Sequence, residues 1–240
     1  MTEALAHAAG LGLSPRTLID VGVADGTPEL YAAFPDAHLV LIEPLKEHEV
    51  ALQGICRAYD AEYLLAAANS VAGSTRMHVH RDLTGSSLLR EIEGSHVDGL
   101  AREVPTVRID DVCVERHLKA PFLIKIDVQG AELMVLEGTR NALAQTDCVV
   151  LEVSLFGTLV GGPQLHEVVS YMKGRGFVVY DLFGGLHRPL DGALAQLDMM
   201  FVRENGPLRS SHAYATREQR MMLIEKARSR LPPERKDDRP

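Results

Sequence analysis

The side chains of this chain best suited to chemistry recur in one kind of place, the carboxyl end of a short apolar run. Asp20 closes Leu18-Ile19, Glu43 closes Leu39 to Ile42, Asn69 follows Glu62 to Ala68, Asp127 closes Phe122 to Ile126, and Glu152 stands near the end of Cys148 to Val153. In an open α/β sheet, ligands lie outside the carboxyl ends of the strands, near the point where strand order reverses. These five residues are therefore expected to converge on one crevice.

The turn after the first run indicates what the crevice holds. Asp20 is followed by Gly22 and Gly26, and Pro28-Glu29-Leu30-Tyr31 reads as the opening of a helix. Glycine is needed where the backbone passes close under a ligand or takes positive φ, and a helix start offers free N–H groups. A pyrophosphate ligand favours the tighter Gly-x-Gly-x-x-Gly cluster with no carboxylate beside it, whereas a ligand with a cationic amino-acid end tolerates Asp20. The spacing thus leans toward S-adenosyl-L-methionine over NAD. On this reading Asp20 with Gly22 and Gly26 cradles the methionine end. Glu43, about twenty residues further on, takes the ribose hydroxyls, while Ala68 and Asn69 border the adenine. Ser87, with Ser86 in a loop beginning at Gly85, is a further candidate for hydrogen bonding to the cofactor.

Positioning these residues requires alternating strands and helices, and the hydrophobic pattern supplies them. Strand candidates end at Asp20, Glu43, Ala68, Asp127 and Val153, and two more follow at Phe177 to Asp181 and Met199 to Val202. Between them lie helical patterns over Pro44 to Ala58, Gln129 to Gly138, and from Pro163 through Met172. The alternation implies a doubly wound, mostly parallel α/β sheet. No helix-length pattern separates the last two strands, which predicts an antiparallel closing hairpin with Leu182 to Gln196 as its long connection. Thr75 to His80 is expected to pair with Thr106 to Ile109, as a hairpin or an edge extension. A helix over residues 2–11 precedes the sheet, and another, opened by the Thr216-x-x-Gln219 capping box, runs from 217 to about 230. The expected organisation is one domain over residues 1–231, followed by a charged, Pro-rich tail at 232–240 that is expected to be disordered.

Composition narrows the function classes. The chain has 240 residues, of which 46% are hydrophobic, enough for one substantial core. A net charge of −8 argues against nucleic acid as the main partner, and no run approaches the ~20 apolar residues that span a bilayer. The three cysteines, Cys56, Cys113 and Cys148, form no Cys-x-x-Cys pair. Neither a disulfide framework nor a zinc site is therefore indicated. No Lys or Arg precedes Arg16, so the chain is expected to be cytoplasmic, acting on a small-molecule hydroxylated acceptor, with a homo-oligomer open.

Several rival chemistries lack their residues. A short-chain NAD-dependent oxidoreductase would need the tighter glycine cluster and a Tyr-x-x-x-Lys pair, and a serine hydrolase would need a Gly-x-Ser-x-Gly elbow. His78 and His80 share a strand face near Asp82 but have no clear third ligand, so no metal site is assigned. Mg²⁺, which can acidify paired hydroxyls, is the alternative not favoured. His187, in the glycine-rich connection Phe183 to Pro189, is the candidate base, because imidazole exchanges protons near neutral pH.

Ile124-Lys125-Ile126-Asp127-Val128-Gln129-Gly130-Ala131-Glu132, followed by Val135-Leu136-Glu137-Gly138, resembles the signature of FkbM-type S-adenosylmethionine-dependent methyltransferases. The likeness extends over roughly residues 17 to 203, through Ile19-Asp20-Val21-Gly22, Ile42-Glu43-Pro44, Gly85-Ser86-Ser87-Leu88, Ile109-Asp110-Asp111, Leu151-Glu152-Val153 and Gln196-Leu197-Asp198 with Phe201-Val202. The resemblance implies a Rossmann-like class I domain with a seven-stranded sheet and O-methylation of a sugar or natural product, as in secondary metabolite biosynthesis. It also implies that Asp127 lies between cofactor and acceptor; with Glu152 and His187, singled out from the residues alone, Asp127 makes up the set of catalytic candidates. Gln129 stands where the family often has Glu, so position 129 is given no charge-dependent role. A cofactor-binding scaffold without catalysis is the remaining alternative.

Overall fold

The computed structural model describes residues 1–230, so the tail expected at 232–240 lies outside the described residues. Five mainly apolar segments form the parallel part of the main sheet: β1 (Thr17–Val21), β2 (His38–Ile42), β3 (Ala61–Leu64), β7 (Phe122–Ile126) and β8 (Thr146–Ser154). Two antiparallel strands, β9 (Phe177–His187) and β10 (Leu194–Arg203), close it in the order β3-β2-β1-β7-β8-β10-β9. This is the expected seven-stranded, doubly wound arrangement, with strand order reversing between β1 and β7.

Side chains alternate across the sheet, and both faces are apolar because helices cover both. Ile19, Val21, Ile124 and Ile126 pack with Val135 of α5 (Glu132–Glu137) and Met172 of α7 (Leu165–Gly174) on one face. Leu18, Leu39 and Leu123 pack with Leu5 of α1 (Thr2–Gly10), Leu30 of α2 (Pro28–Ala33) and Leu52 of α3 (Glu49–Ala58) on the other. That second face also receives Asp20 and Lys125, which occupy paired positions on β1 and β7. Two charged residues thus enter an otherwise apolar layer.

Several boundaries differ from expectation. The run Glu62 to Ala68 is two strands in two sheets. After β3 the chain turns and β4 (Ala67–Ala68) joins a separate three-stranded sheet with β5 (Gly73–Val79) and β6 (Leu100–Val107). The hairpin partner of β5 is therefore residues 100–107, while Ile109 opens α4 (Ile109–Glu115). The helix expected from Gln129 begins only at Glu132, because Gln129 and Gly130 have φ of 52° and 89° and cannot continue a right-handed helix. Within the helical pattern over Pro44 to Ala58, Val50 is exposed while Leu52 is fully buried. The last two strands run on to His187 and from Leu194, so the expected connection Leu182 to Gln196 is mostly strand.

The remaining helices are α6 (Arg140–Leu143) and α8 (Arg217–Arg228), the latter exposed along its whole length and opened by the expected capping box. Among the described residues no helix is long and apolar enough to cross a membrane.

The end of β4 is fixed by a close approach. Gly138, just past α5, lies so near the chain at Asn69 that a Cβ built on it would stand 2.1 Å from the Asn69 carbonyl oxygen. Its carbonyl accepts the N–H of Asp110, whose carboxylate in turn takes the N–H groups of Asn141 and Ala142 at the start of α6. Gly138→Ala must push this backbone apart and is expected to cost about 1–3 kcal/mol of stability, read as a lower urea midpoint at unchanged slope. An unchanged midpoint would show that this contact does not hold Asn69.

Candidate active site

The carboxyl ends of β1, β2, β4, β7 and β8 border one cavity with two adjoining lobes. One lobe is lined by Gly22, Glu43, Ala68, Asp127, Gln129 and Glu152, and the other by Gly26, Asp82, Lys125 and Asp198 together with Gly22, Asp127 and Glu152. The glycine turn forms their common floor. Gly22 has φ of 75° and donates its N–H to Ile42, and a Cβ on it would meet the Asp127 carbonyl at 1.8 Å. Only glycine lets the β1 turn and the end of β7 approach this closely.

Glu43 is 4% exposed, and each of its oxygens accepts one backbone N–H, from Ala24 and from Leu45, both at 2.9 Å. Burial raises its pKa, while these two donors favour the charged form. A carboxylate oxygen has a further lone pair beyond the one each donor uses, so Glu43 can still accept ribose hydroxyls.

Below the turn lies a buried charged group. Lys125, 5% exposed, is 3.1 Å from Asp127 and 3.8 Å from Asp20. Burial alone would lower the pKa of its ammonium, but Asp20 and Asp127 outweigh that and raise it. Asp20 is fully buried and accepts the Tyr31 hydroxyl at 2.6 Å on Oδ2. Its other oxygen, Oδ1, has no hydrogen-bond partner among the described residues. An unpaired buried acceptor is costly, and the Lys125 ammonium 3.8 Å away supplies the charge that offsets it. The glycine turn, where a Cβ would fill the cradle, and the Glu43 carboxylate fit an amino-acid nucleoside such as S-adenosylmethionine.

Asp127 and Glu152 meet on the cavity wall. The side chain of Gln129 donates to Glu152 Oε2 at 2.7 Å and to Asp127 Oδ1 at 3.2 Å. Gln196 adds a second donor to Glu152 Oε2 at 3.2 Å. Glu152 faces Asp198 across the β8–β10 pairing. Burial, followed by the charges of Asp127, Glu132 and Asp198, pushes its pKa up to about 8. Glu132 is itself buried, which pushes it up to about 7 against the N–H of Gly130 that it accepts.

The cavity thus gathers Gly22, Gly26, Glu43, Ala68, Asp127 and Glu152 from the expected set. Four other residues lie off its wall. Asp20 sits beneath the turn, and Asn69 is buried with its Oδ1 taking the N–H of Ser70. Ser87 donates to the Gln129 carbonyl at 2.6 Å and accepts the Leu89 N–H, a loop-pinning role, whereas Ser86 lines the cavity. His187 is exposed at the end of edge strand β9, paired with Leu194. His78 lies within β5, and no group of three or more metal-ligating side chains is found among the described residues. Lys125, Gln129, Gln196 and Asp198 were given no role from sequence. A lysine inside Phe-Leu-Ile-Lys-Ile was the available signal, since a lysine buried in a strand demands a carboxylate partner.

The sheet order, the glycine turn after β1 and the buried carboxylate after β2 define the class, a nucleoside-cofactor α/β domain of the methyltransferase type. The chain belongs to the FkbM methyltransferase family, whose model, the methyltransferase FkbM domain, matches residues 20–179. A curated relative, 31-O-demethyl-FK506 methyltransferase FkbM of Streptomyces tacrolimicus, is 38% identical over 78 residues, a stretch that makes up 32% of this chain and only 28% of that enzyme. Among solved structures, magnesium protoporphyrin IX methyltransferase from Synechocystis PCC 6803 with bound SAM is 9% identical with a TM-score of 0.47, covering 84% of this chain and 76% of that one. An rRNA methylase from Streptococcus thermophilus is 10% identical with a TM-score of 0.46, covering 84% and 93%. The family assignment rests on the domain match and not on these distant likenesses.

Glu43→Gln would set an amide NH₂ against a backbone N–H and remove the charge that receives the ribose. Calorimetry is expected to show S-adenosylhomocysteine binding weakened by about tenfold or more. Unchanged affinity would take Glu43 out of the cofactor site.

Proposed function

We propose that this protein is an S-adenosylmethionine-dependent O-methyltransferase acting on a hydroxyl of a small neutral or amine-bearing acceptor, such as a sugar moiety or natural product. The observation that carries this reading is that Asp127 and Glu152, joined through the Gln129 amide, border the same cavity as the Gly22 turn and the buried Glu43. S-adenosylmethionine supplies a methyl group already activated on a sulfonium. The protein must then align the acceptor oxygen about 3–3.5 Å from that carbon, opposite the departing sulfur, and accept its proton.

The side chains divide this work. Asp127, beside the Lys125 ammonium, is suited to accepting a hydrogen bond from the acceptor hydroxyl and so orienting it. Glu152 receives the proton as the oxygen–carbon bond forms and the carbon–sulfur bond breaks. Its raised pKa makes it a stronger base than an ordinary carboxylate once ionised. His187 stands outside the cavity and is given no part in this scheme.

The lining also bears on acceptor charge. Asp25, Glu29, Glu47, Asp82 and Asp198 border the outer lobe with Met1; Glu47 is paired with Arg102 and Asp25 with His48, while Lys125 is already shared between Asp20 and Asp127. An anionic acceptor would meet a net excess of acidic groups there. Neutral glycosides and amino alcohols are therefore expected to be methylated in preference to sugar phosphates.

The test is transfer of labelled methyl to a panel of polyols, glycosides, amino alcohols and sugar phosphates. Asp127→Asn is expected to lower kcat by about a hundredfold or more, with S-adenosylhomocysteine affinity held within a few-fold. Tight cofactor binding with no transfer to any acceptor would favour the cofactor-binding scaffold instead.

A further inference from the structure

Two amides, Gln129 and Gln196, meet at Glu152, where the charges of Asp127, Glu132 and Asp198 crowd together. We propose that Gln129 and Gln196 are positioning residues that pin one oxygen of Glu152, Oε2, and thereby reserve the other, Oε1, for the proton of the acceptor hydroxyl. This rests on the methyl-transfer reading of the site.

The geometry is specific. Oε2 of Glu152 accepts from Gln129 Nε2 at 2.7 Å and from Gln196 Nε2 at 3.2 Å, which fills its two lone pairs. Among the described residues no N–H reaches Oε1. The orientation of the Gln129 amide is also determined, because its NH₂ faces two carboxylates and its Oε1 accepts from Gln196 at 3.3 Å. A flipped amide would set oxygen against oxygen at both acids and nitrogen against nitrogen at Gln196. The backbone that aims this side chain is held in the left-handed region, φ 52°, by the hydroxyl of Ser87 on the Gln129 carbonyl.

The amides work against their surroundings. Glu152 is faced by Asp127 at the end of β7, Glu132 on α5 and Asp198 on β10, all of which favour its protonated form. Lys125 on β7 is close to Asp127 and Asp20, and Asp82 and His48 border the same cavity from the loops. Donors to Oε2 stabilise the carboxylate form and so keep Glu152 available as a base nearer neutral pH than the surrounding acids would otherwise allow.

Sign and size follow. Gln129→Glu replaces a donor by a like charge between Asp127 and Glu152, so Glu152 should hold its proton to higher pH, by about one unit. Gln196→Leu removes one donor and should shift it the same way by less. The experiment is a carboxyl ¹³C NMR titration of the intact, cofactor-free protein labelled at glutamate, with Glu152 assigned through Glu152→Gln. The pH dependence of kcat/KM is then measured for the same proteins.

The expected result is an upward shift of the Glu152 midpoint in both variants, matched by an alkaline shift of the ascending limb of activity. A midpoint that stays in place while kcat/KM falls equally at every pH would reduce the two glutamines to packing and overturn the proposal. Midpoints that move while no hydroxyl in the panel is methylated would uphold the pinning of Glu152 and overturn the hydroxyl-acceptor reading.

Discussion

The site depends on one ammonium in an apolar layer. Lys125 enters the sheet face otherwise occupied by Leu18, Leu39 and Leu123, and it stays charged there because Asp20 and Asp127 lie on either side of it. Removing one partner of such a buried group costs roughly 3–5 kcal/mol, since the remaining charge has no water to turn to. That dependence ties together strands far apart in the chain. Asp20 belongs to β1, Lys125 to β7, and the register between them sets both residues directly opposite each other. Sliding either strand by one position would bury an unpaired charge, so the ion pair reinforces the register that the apolar alternation already favours.

From that register the cavity follows. With β1 and β7 locked, the turn after β1 meets the carbonyl of Asp127, and Gly22 makes the approach sterically feasible. The same approach delivers the Asp127 side chain to the cavity rim, where Gln129 connects it to Glu152 on β8. The reversal of strand order between β1 and β7 leaves a gap above the sheet, since the helices after the two strands depart to opposite faces. Glu43 closes one side of the gap and Glu152 the other.

Much of this was legible in the sequence, for physical reasons that also explain what was not. The acid at the end of each apolar run predicted the strand ends at Asp20, Glu43, Asp127 and Glu152, because a charge terminates burial wherever it has no partner. That same rule left one feature of Asp20 unseen. This residue is a buried member of the Lys125 group and not a free strand end, and only the cross-strand register reveals this. Periodicity ran Glu62 to Ala68 together, since nothing in an apolar run marks the point where a chain leaves one sheet for another. Gln129 and Gln196 were illegible for a different reason. Their significance lies in a meeting of three segments about Glu152, which the motifs that contain them do not reveal.

The surplus of acid around Glu152 has a consequence for charge balance on the proposed reading. A cation bound beside Asp127 and Glu152 offsets their repulsion and favours the ionised form of Glu152, so cofactor binding itself would prepare the base. Methyl transfer then abolishes the positive charge of the sulfonium, which would leave the carboxylates unbalanced if nothing else changed. Glu152 gains a proton in the same event, and one negative charge disappears with the positive one. The net charge of the cavity would thus be the same before and after the step, which matters where Glu152 is partly desolvated by burial. A neutral base such as an imidazole in the position of Glu152 would become cationic as the sulfonium is lost, and the crowded acids would remain paired with a cation after the reaction. The carboxylate instead returns a neutral acid against a neutral thioether, leaving less to hold the product in place.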